Sequence, residues 1–137
     1  MSQRTVYLFG YRVTEHGVGE FGMIYSGITD QEAVDFLLKI QHGEIYKALD
    51  HPVLGPIDLV YGKETIGNKI GFGLAKIQQK HPDAVLNLAE QIKNAEIIEE
   101  LPGRRILVTK NNNQRSIIDL QWFEQKKTWL VNSYIPF

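Results

Sequence analysis

Cysteine is absent from the 137 residues, and with it go disulfide frameworks, thiolate nucleophiles and cysteine-based zinc sites. Any chemistry must therefore use His, Lys, Arg, carboxylates or hydroxyls. No apolar run approaches the roughly 20 residues that cross a bilayer, and Met1-Ser2-Gln3-Arg4-Thr5 lacks the apolar core of a signal peptide. The expected site of action is therefore the cytoplasm, with no membrane contact and no targeting signal in the chain. His16, His42 and His51 show no i, i+4 pairing, so no metal site is expected. The glycines from Gly67 to Gly73 form no dinucleotide or P-loop pattern, so no nucleotide cofactor is expected either.

Net charge is also scarce. The formal value is −1, which taken over the whole chain argues against a nucleic-acid binder, because phosphate contacts need local positive potential. The distribution is less even. Residues 101–137 hold Arg104, Arg105, Lys110, Arg115, Lys126 and Lys127 against Asp119 and Glu124, whereas residues 83–100 hold Asp83, Glu90, Glu96, Glu99 and Glu100 against Lys93 alone. These are either two ordinary solvated faces or a basic binding face beside an acidic neighbour. With 43% hydrophobic residues, the chain can bury most of its apolar surface, and one domain over residues 1–137 is expected.

Thr5 to Val13 reads as a strand, and the glycines between His16 and Gly22 read as a turn before Met23-Ile24-Tyr25. Thr29 offers an N-cap with Glu32 as its capping-box partner, and Ala33, Phe36, Leu37 and Ile40 recur at helical spacing. Glu44 to Leu49 predicts a short second helix, stopped by His51-Pro52. Ile57 to Tyr61 is a short apolar strand, and Phe72 to Lys80 an amphipathic helix closed by His81 ahead of Pro82. Pro82-Asp83 opens another helix with an inner face of Val85, Leu86, Leu88, Ala89 and Ile92. The last forty residues change period. Ile97-Ile98, Arg105 to Thr109, Ser116 to Leu120 and Thr128 to Tyr134 read as the strands of a meander. The predicted class is α+β, helices first and an antiparallel sheet after.

Four strings stand out: Gly55-Pro56-Ile57-Asp58-Leu59-Val60-Tyr61-Gly62, Gly73-Leu74-Ala75-Lys76-Ile77-Gln78-Gln79-Lys80-His81-Pro82, Arg115-Ser116-Ile117-Ile118-Asp119-Leu120 and Lys127-Thr128-Trp129-Leu130-Val131-Asn132-Ser133-Tyr134. In this order and spacing the chain resembles, over roughly residues 28–135, the barnase/colicin-family endoribonuclease domains of phage and polymorphic-toxin proteins, within the wider barnase/EndoU/colicin/RelE-like group. The resemblance implies N-terminal helices packed on a C-terminal four-stranded antiparallel sheet that carries an RNA-binding cleft. It further implies a general acid or base on the helix string, an arginine of the third string on phosphate, and a hydroxyl-bearing residue near the last strand. Lys76 stands where the pattern has His, and Asn132 where it has Thr.

On this reading Lys76, His81, Arg115, Asn132 and Tyr134 are the candidate catalytic residues, and Lys80, Arg104, Arg105 and Ser133 the candidate RNA contacts. Lys76 replaces an imidazole only if its pKa falls; otherwise it is an electrostatic stabiliser. His81 is either an acid/base group at the cleft edge or a helix C-terminal cap. Arg115 either grips phosphate bidentately or is a solvated strand end. On a strand Asn132 and Tyr134 share one face and Ser133 takes the other. Trp122 and Trp129 either stack bases or pack in the core. The implied function is a metal-independent endoribonuclease toxin domain, with tRNA one candidate substrate. It would cleave by 2′-hydroxyl attack without a cofactor and be restrained by a cognate immunity or antitoxin protein. The alternative, supported by Lys76, Asn132 and the near-zero net charge, is a catalytically silent RNA-binding or protein-docking module of the same fold.

Overall fold

A computed structural model describes residues 3–136. The strands are β1 (Arg4–Leu8), β2 (Tyr11–Gly19), β3 (Gly22–Ser26), β4 (Glu44–His51), β5 (Gly55–Val60), β6 (Glu96–Leu101), β7 (Arg104–Thr109), β8 (Gln114–Trp122) and β9 (Gln125–Tyr134). They form one sheet in the order β1-β2-β3-β4-β5-β9-β8-β7-β6. Helix α1 (Asp30–Ile40) links β3 to the parallel β4, as such a crossover requires. A second helical stretch lies between β5 and β6: α2 (Gly73–Lys80), a 3-10 turn (Pro82–Val85) and α3 (Leu88–Lys93).

The expected four-stranded sheet carrying N-terminal helices is thus incorrect. The last four strands do form an antiparallel run, but β9 also pairs in parallel with β5 through Asp58↔Trp129, and the sheet continues into five more strands. Of these five, the sequence predicts β4 as a helix and β1 and β2 as one strand, for two local reasons. Residues 44–49 mimic a helix because Glu44 and Ile45 are buried, Tyr46 and Lys47 exposed, and Ala48 and Leu49 buried again. The four-residue spacing comes from a β-bulge between Ile45 and Leu49, where Lys47 takes a φ of +54°. The predicted strand Thr5–Val13 is broken at Phe9-Gly10, whose φ values of +53° and +82° make the tight primed turn that joins β1 to β2.

The helices and one sheet face share a single hydrophobic core, with Phe36, Leu37, Leu74, Ile77, Leu88 and Ile92 packed with Ile45, Leu49, Ile57, Leu59, Leu107, Ile118 and Leu130. The helix predicted from Pro82 is split: Leu86, assigned to its inner face, is 76% exposed. Thr29 caps α1 in an extended conformation without a side-chain hydrogen bond, so the expected capping box does not form.

The start of α2 is fixed sterically. Gly73 has φ +77°, and a Cβ there would lie 2.6 Å from the Val60 carbonyl oxygen and 2.9 Å from that of Tyr61. The latter oxygen already accepts a hydrogen bond from the Ala75 N–H at 2.8 Å. A side chain would therefore meet both a left-handed backbone and immovable main chain. Gly73→Ala is expected to lower the free energy of unfolding by more than about 1 kcal/mol, read as a reduced urea midpoint; an unchanged midpoint would contradict this account of how α2 is anchored.

Candidate functional site

Strand pairing sorts the C-terminal half of the sheet into two faces. Ser116 and Ile118 of β8 pair with Ser133 and Leu130 of β9 on the helix-covered side. Arg115, Ile117 and Asp119 pair with Tyr134, Asn132 and Trp129 on the other. A bulge between Ile117 and Ile118 keeps Trp129, Asn132 and Tyr134 on this outer face despite their uneven spacing.

Three of the candidate catalytic residues come together at one end of it. Arg115 lies opposite Tyr134 in the β8–β9 register, and the Tyr134 ring lies 5.6 Å from that of His81, tilted by 38°. His81 is the C-cap of α2, its N–H donating to the Ile77 carbonyl at 2.7 Å. Cap and cleft-edge placement are therefore compatible. The Arg115 Nε is buried and has no hydrogen-bond partner, and Arg115 joins none of the ion pairs among the described residues. A buried guanidinium N–H without an acceptor is costly, and an arriving anion would satisfy it.

The remaining candidates are placed differently. Asn132 sits on the same face one pair away, its Oδ1 accepting the Ser133 N–H at 2.9 Å. Lys76 is half-buried on α2 and Lys80 exposed in its last turn, and neither forms an ion pair among the described residues. Ser133 is fully buried on the helix side. Its hydroxyl is engaged by Gln114 Nε2 and Ser116 Oγ, both at 2.9 Å, and donates to the Arg115 carbonyl at 3.1 Å. Arg104 grips Asp119 with two hydrogen bonds at 2.6 and 3.1 Å, which hold its pKa above the ordinary value. Arg105 is tied to the Leu101 and Arg104 carbonyls at 2.9 Å and faces Glu100 at 3.3 Å.

The other end of the outer face carries a group that sequence reasoning missed. Lys127 Nζ lies 2.5 Å from Glu44 Oε1 and 2.7 Å from Asp58 Oδ2, beneath the rings of Phe21 and Tyr46. Burial works against its charge, but the hydrogen bonds to Asp58 and Glu44 outweigh it and raise its pKa. Burial also raises the pKa of Glu44. Phe21 belongs to an aromatic cluster with Phe72, Trp122 and Trp129, with ring centroids 4.8–6.0 Å apart. Trp129 is only 3% exposed and so belongs to the packing. Beyond Tyr46, His16 Nε2 lies 2.6 Å from Ser26 Oγ. These partners are far apart in sequence, and the pairing of β4 with β5 and of β5 with β9 brings them together.

A family model for the phage-Barnase-EndoU-ColicinE5/D-RelE like nuclease1 matches residues 48–136. The chain belongs to this family. All five candidate catalytic residues, and Asp58 and Lys127, lie within the match, whereas Glu44, β1, β2, β3 and α1 lie outside it. The chain is thus a nuclease-like domain of a phage-related family. No curated protein and no solved structure matches it. No helix among the described residues is long and apolar enough to cross a membrane, and among the same residues no three His, Asp or Glu side chains converge as a metal site.

The lysine contributes stability that is fully present below the ordinary lysine range and is lost as pH rises through its higher folded pKa. Lys127→Met leaves Glu44 and Asp58 facing one another unneutralised, and a loss of about 3–5 kcal/mol is expected at neutral pH. Because the Glu44 carboxyl titrates above its usual range, the loss should shrink as acid protonates it. Urea unfolding of both proteins between mildly acidic and neutral pH checks this; a deficit independent of pH would refute the ionic account.

Proposed function

We propose that the outer face of β8 and β9 cleaves RNA, with tRNA as one candidate substrate. The observation that carries this reading is the buried, unpartnered Nε of Arg115 next to Tyr134, whose ring lies against His81. A phosphate diester drawn to that guanidinium would gain the acceptor that the protein itself withholds. Membership in a nuclease-like family supports the same choice.

The chemistry we assign is internal transesterification. The 2′-hydroxyl loses its proton to a base and attacks the adjacent phosphorus. The bond from phosphorus to the 5′-oxygen breaks as that oxygen takes up a proton. The products are a 2′,3′-cyclic phosphate and a 5′-hydroxyl. His81 is the candidate proton-transfer group, Arg115 and Lys76 the cations that stabilise the extra negative charge, and Tyr134 and Asn132 the groups that position the phosphate. Every step uses the chain's own side chains, so the reaction is written without a metal. A nuclease of this kind needs restraint in its host, and we infer a cognate immunity or antitoxin protein as its partner.

Incubation of the purified chain with total tRNA and with generic single-stranded RNA, in EDTA, tests the reading. Fragments ending in cyclic phosphate are expected, with Arg115→Ala slowing their appearance by about 10²–10³ and His81→Ala by about 10²–10⁴. RNA left intact across a wide range of protein concentration would overturn the enzyme and favour a silent RNA-binding or docking module, to which the departures at Lys76 and Asn132 already point.

A further inference from the structure

The cavity beside Lys127 is separate from the Arg115 end of the face. It measures about 350 Å³ and is walled by Phe21, Tyr46 and Trp122, with Glu44 and Asp58 among its lining. Lys47 and Lys126 also border it. Four observations bear on what it holds. Glu44 is only 3% exposed, and while its Oε1 binds Lys127, its other oxygen accepts no hydrogen bond from the described residues. Tyr46 is 41% exposed, although it also covers the Lys127 ammonium at 5.1 Å. Charges around the lining balance, Glu20, Glu44 and Asp58 against Lys47, Lys126 and Lys127, so neither a bare anion nor a bare cation is strongly favoured. Lys47 and Lys126 are exposed and form none of the ion pairs among the described residues.

A planar ring with an amino donor on its edge and a phosphate attached to it satisfies all four. The ring stacks on the exposed aromatic side chain, the amino group donates to the free Glu44 oxygen, and the phosphate reaches the lysines. We propose that this cavity is a base-recognition subsite for a nucleotide whose base carries an exocyclic amino group: guanine, adenine or cytosine in preference to uracil. The proposal rests on the nuclease reading for the nature of its ligand, and it adds a specificity-determining role for Glu44 and Tyr46. Trp122, in the cavity wall, and Arg115 lie seven residues apart on β8, an interval of about 20 Å at strand rise. A bound RNA strand would thus reach the reacting phosphate some nucleotides away from the recognised base. Gly19, Glu20, Phe21, Ile24, Glu44, Tyr46 and Lys47 all precede residue 48, where the family match begins. The subsite is therefore largely built by the part of this chain that lies outside the match.

Binding is read without cleavage, by quenching of the two tryptophans on titration with GMP, AMP, CMP and UMP. Trp122 is in the cavity wall and Trp129 within 5.5 Å of it, ring centre to ring centre. At least one amino-bearing nucleotide is expected to bind about tenfold more tightly than UMP, the discrimination typical of a hydrogen bond to a charged acceptor. Tyr46→Ala, at a partly exposed position, should weaken that binding about tenfold, and Glu44→Gln should remove the preference over UMP. Tyr7→Ala, on the exposed surface of β1, should change neither. Equal affinity for all four nucleotides, no measurable binding, or binding unaffected by both Tyr46→Ala and Glu44→Gln in proteins whose thermal unfolding is retained would each overturn the subsite. The nuclease reading stands or falls separately on RNA cleavage: a selective pocket in a chain that leaves RNA intact, and cleavage by a chain with no selective pocket, are different results.

Discussion

The sheet depends on a seam that backbone pairing alone holds weakly. Strands β5 and β9 meet through a single parallel register pair, Asp58↔Trp129, yet within the sheet this junction is what joins β6 through β9 to β1 through β5. Lys127 of β9 closes it by bonding Asp58 of β5 and Glu44 of β4 at once, while the Phe21 and Tyr46 rings cover its ammonium. The other oxygen of Asp58 accepts the Lys47 N–H at 2.9 Å, so the same carboxylate that meets the lysine also satisfies the bulge of β4. Buried charges of this kind are a poor source of net stability, because desolvation offsets much of their attraction. What they supply is register: in the observed pairing of β4, β5 and β9 one ammonium lies between two carboxylates, and a slip of any of these strands would separate them. That role for a buried ionic group is the best attested, and here it also shapes the cavity assigned to base recognition.

Legibility in the sequence followed the range of the forces involved. Helix α1, α2 and the strands of the last forty residues were readable because their apolar periodicity is local, and the family strings placed Arg115, Tyr134 and His81 in one region before any pairing was known. What was lost needed information from elsewhere in the chain. The Glu44–Leu49 segment has the burial spacing of a helix only because β4 advances four residues there while β5 advances two, and the bulge is tied at Lys47 to Asp58. Phe9 at positive φ is a choice no propensity favours, so one strand was read where two are joined by a turn. The order of strands, with β9 inserted beside β5, is a tertiary fact with no local signature. For the same reason Lys127 looked like one more cation in a basic tail, when its partners lie 69 and 83 residues away.

The near-zero net charge ceases to argue against a polyanionic ligand once the pairings are known. Of the six cations in residues 101–137, Arg104 is held by Asp119, Arg105 by Glu100, Lys110 by Glu96 and Lys127 by Glu44 and Asp58. Arg115 and Lys126 are left without an acidic partner among the described residues, one at each end of the same sheet face. Long-range potential from a strongly basic domain is therefore not what would draw RNA here; the attraction would be short-range and set by where those cations stand. Glu99 and Glu100 on the edge strand β6 add to this selectivity, since charges on an exposed edge discourage both strand addition and the approach of phosphates. A strand of RNA lying along the outer face between the Lys127 cavity and Arg115 would meet both Lys126 and Arg115, and the placement of these cations is itself a form of specificity.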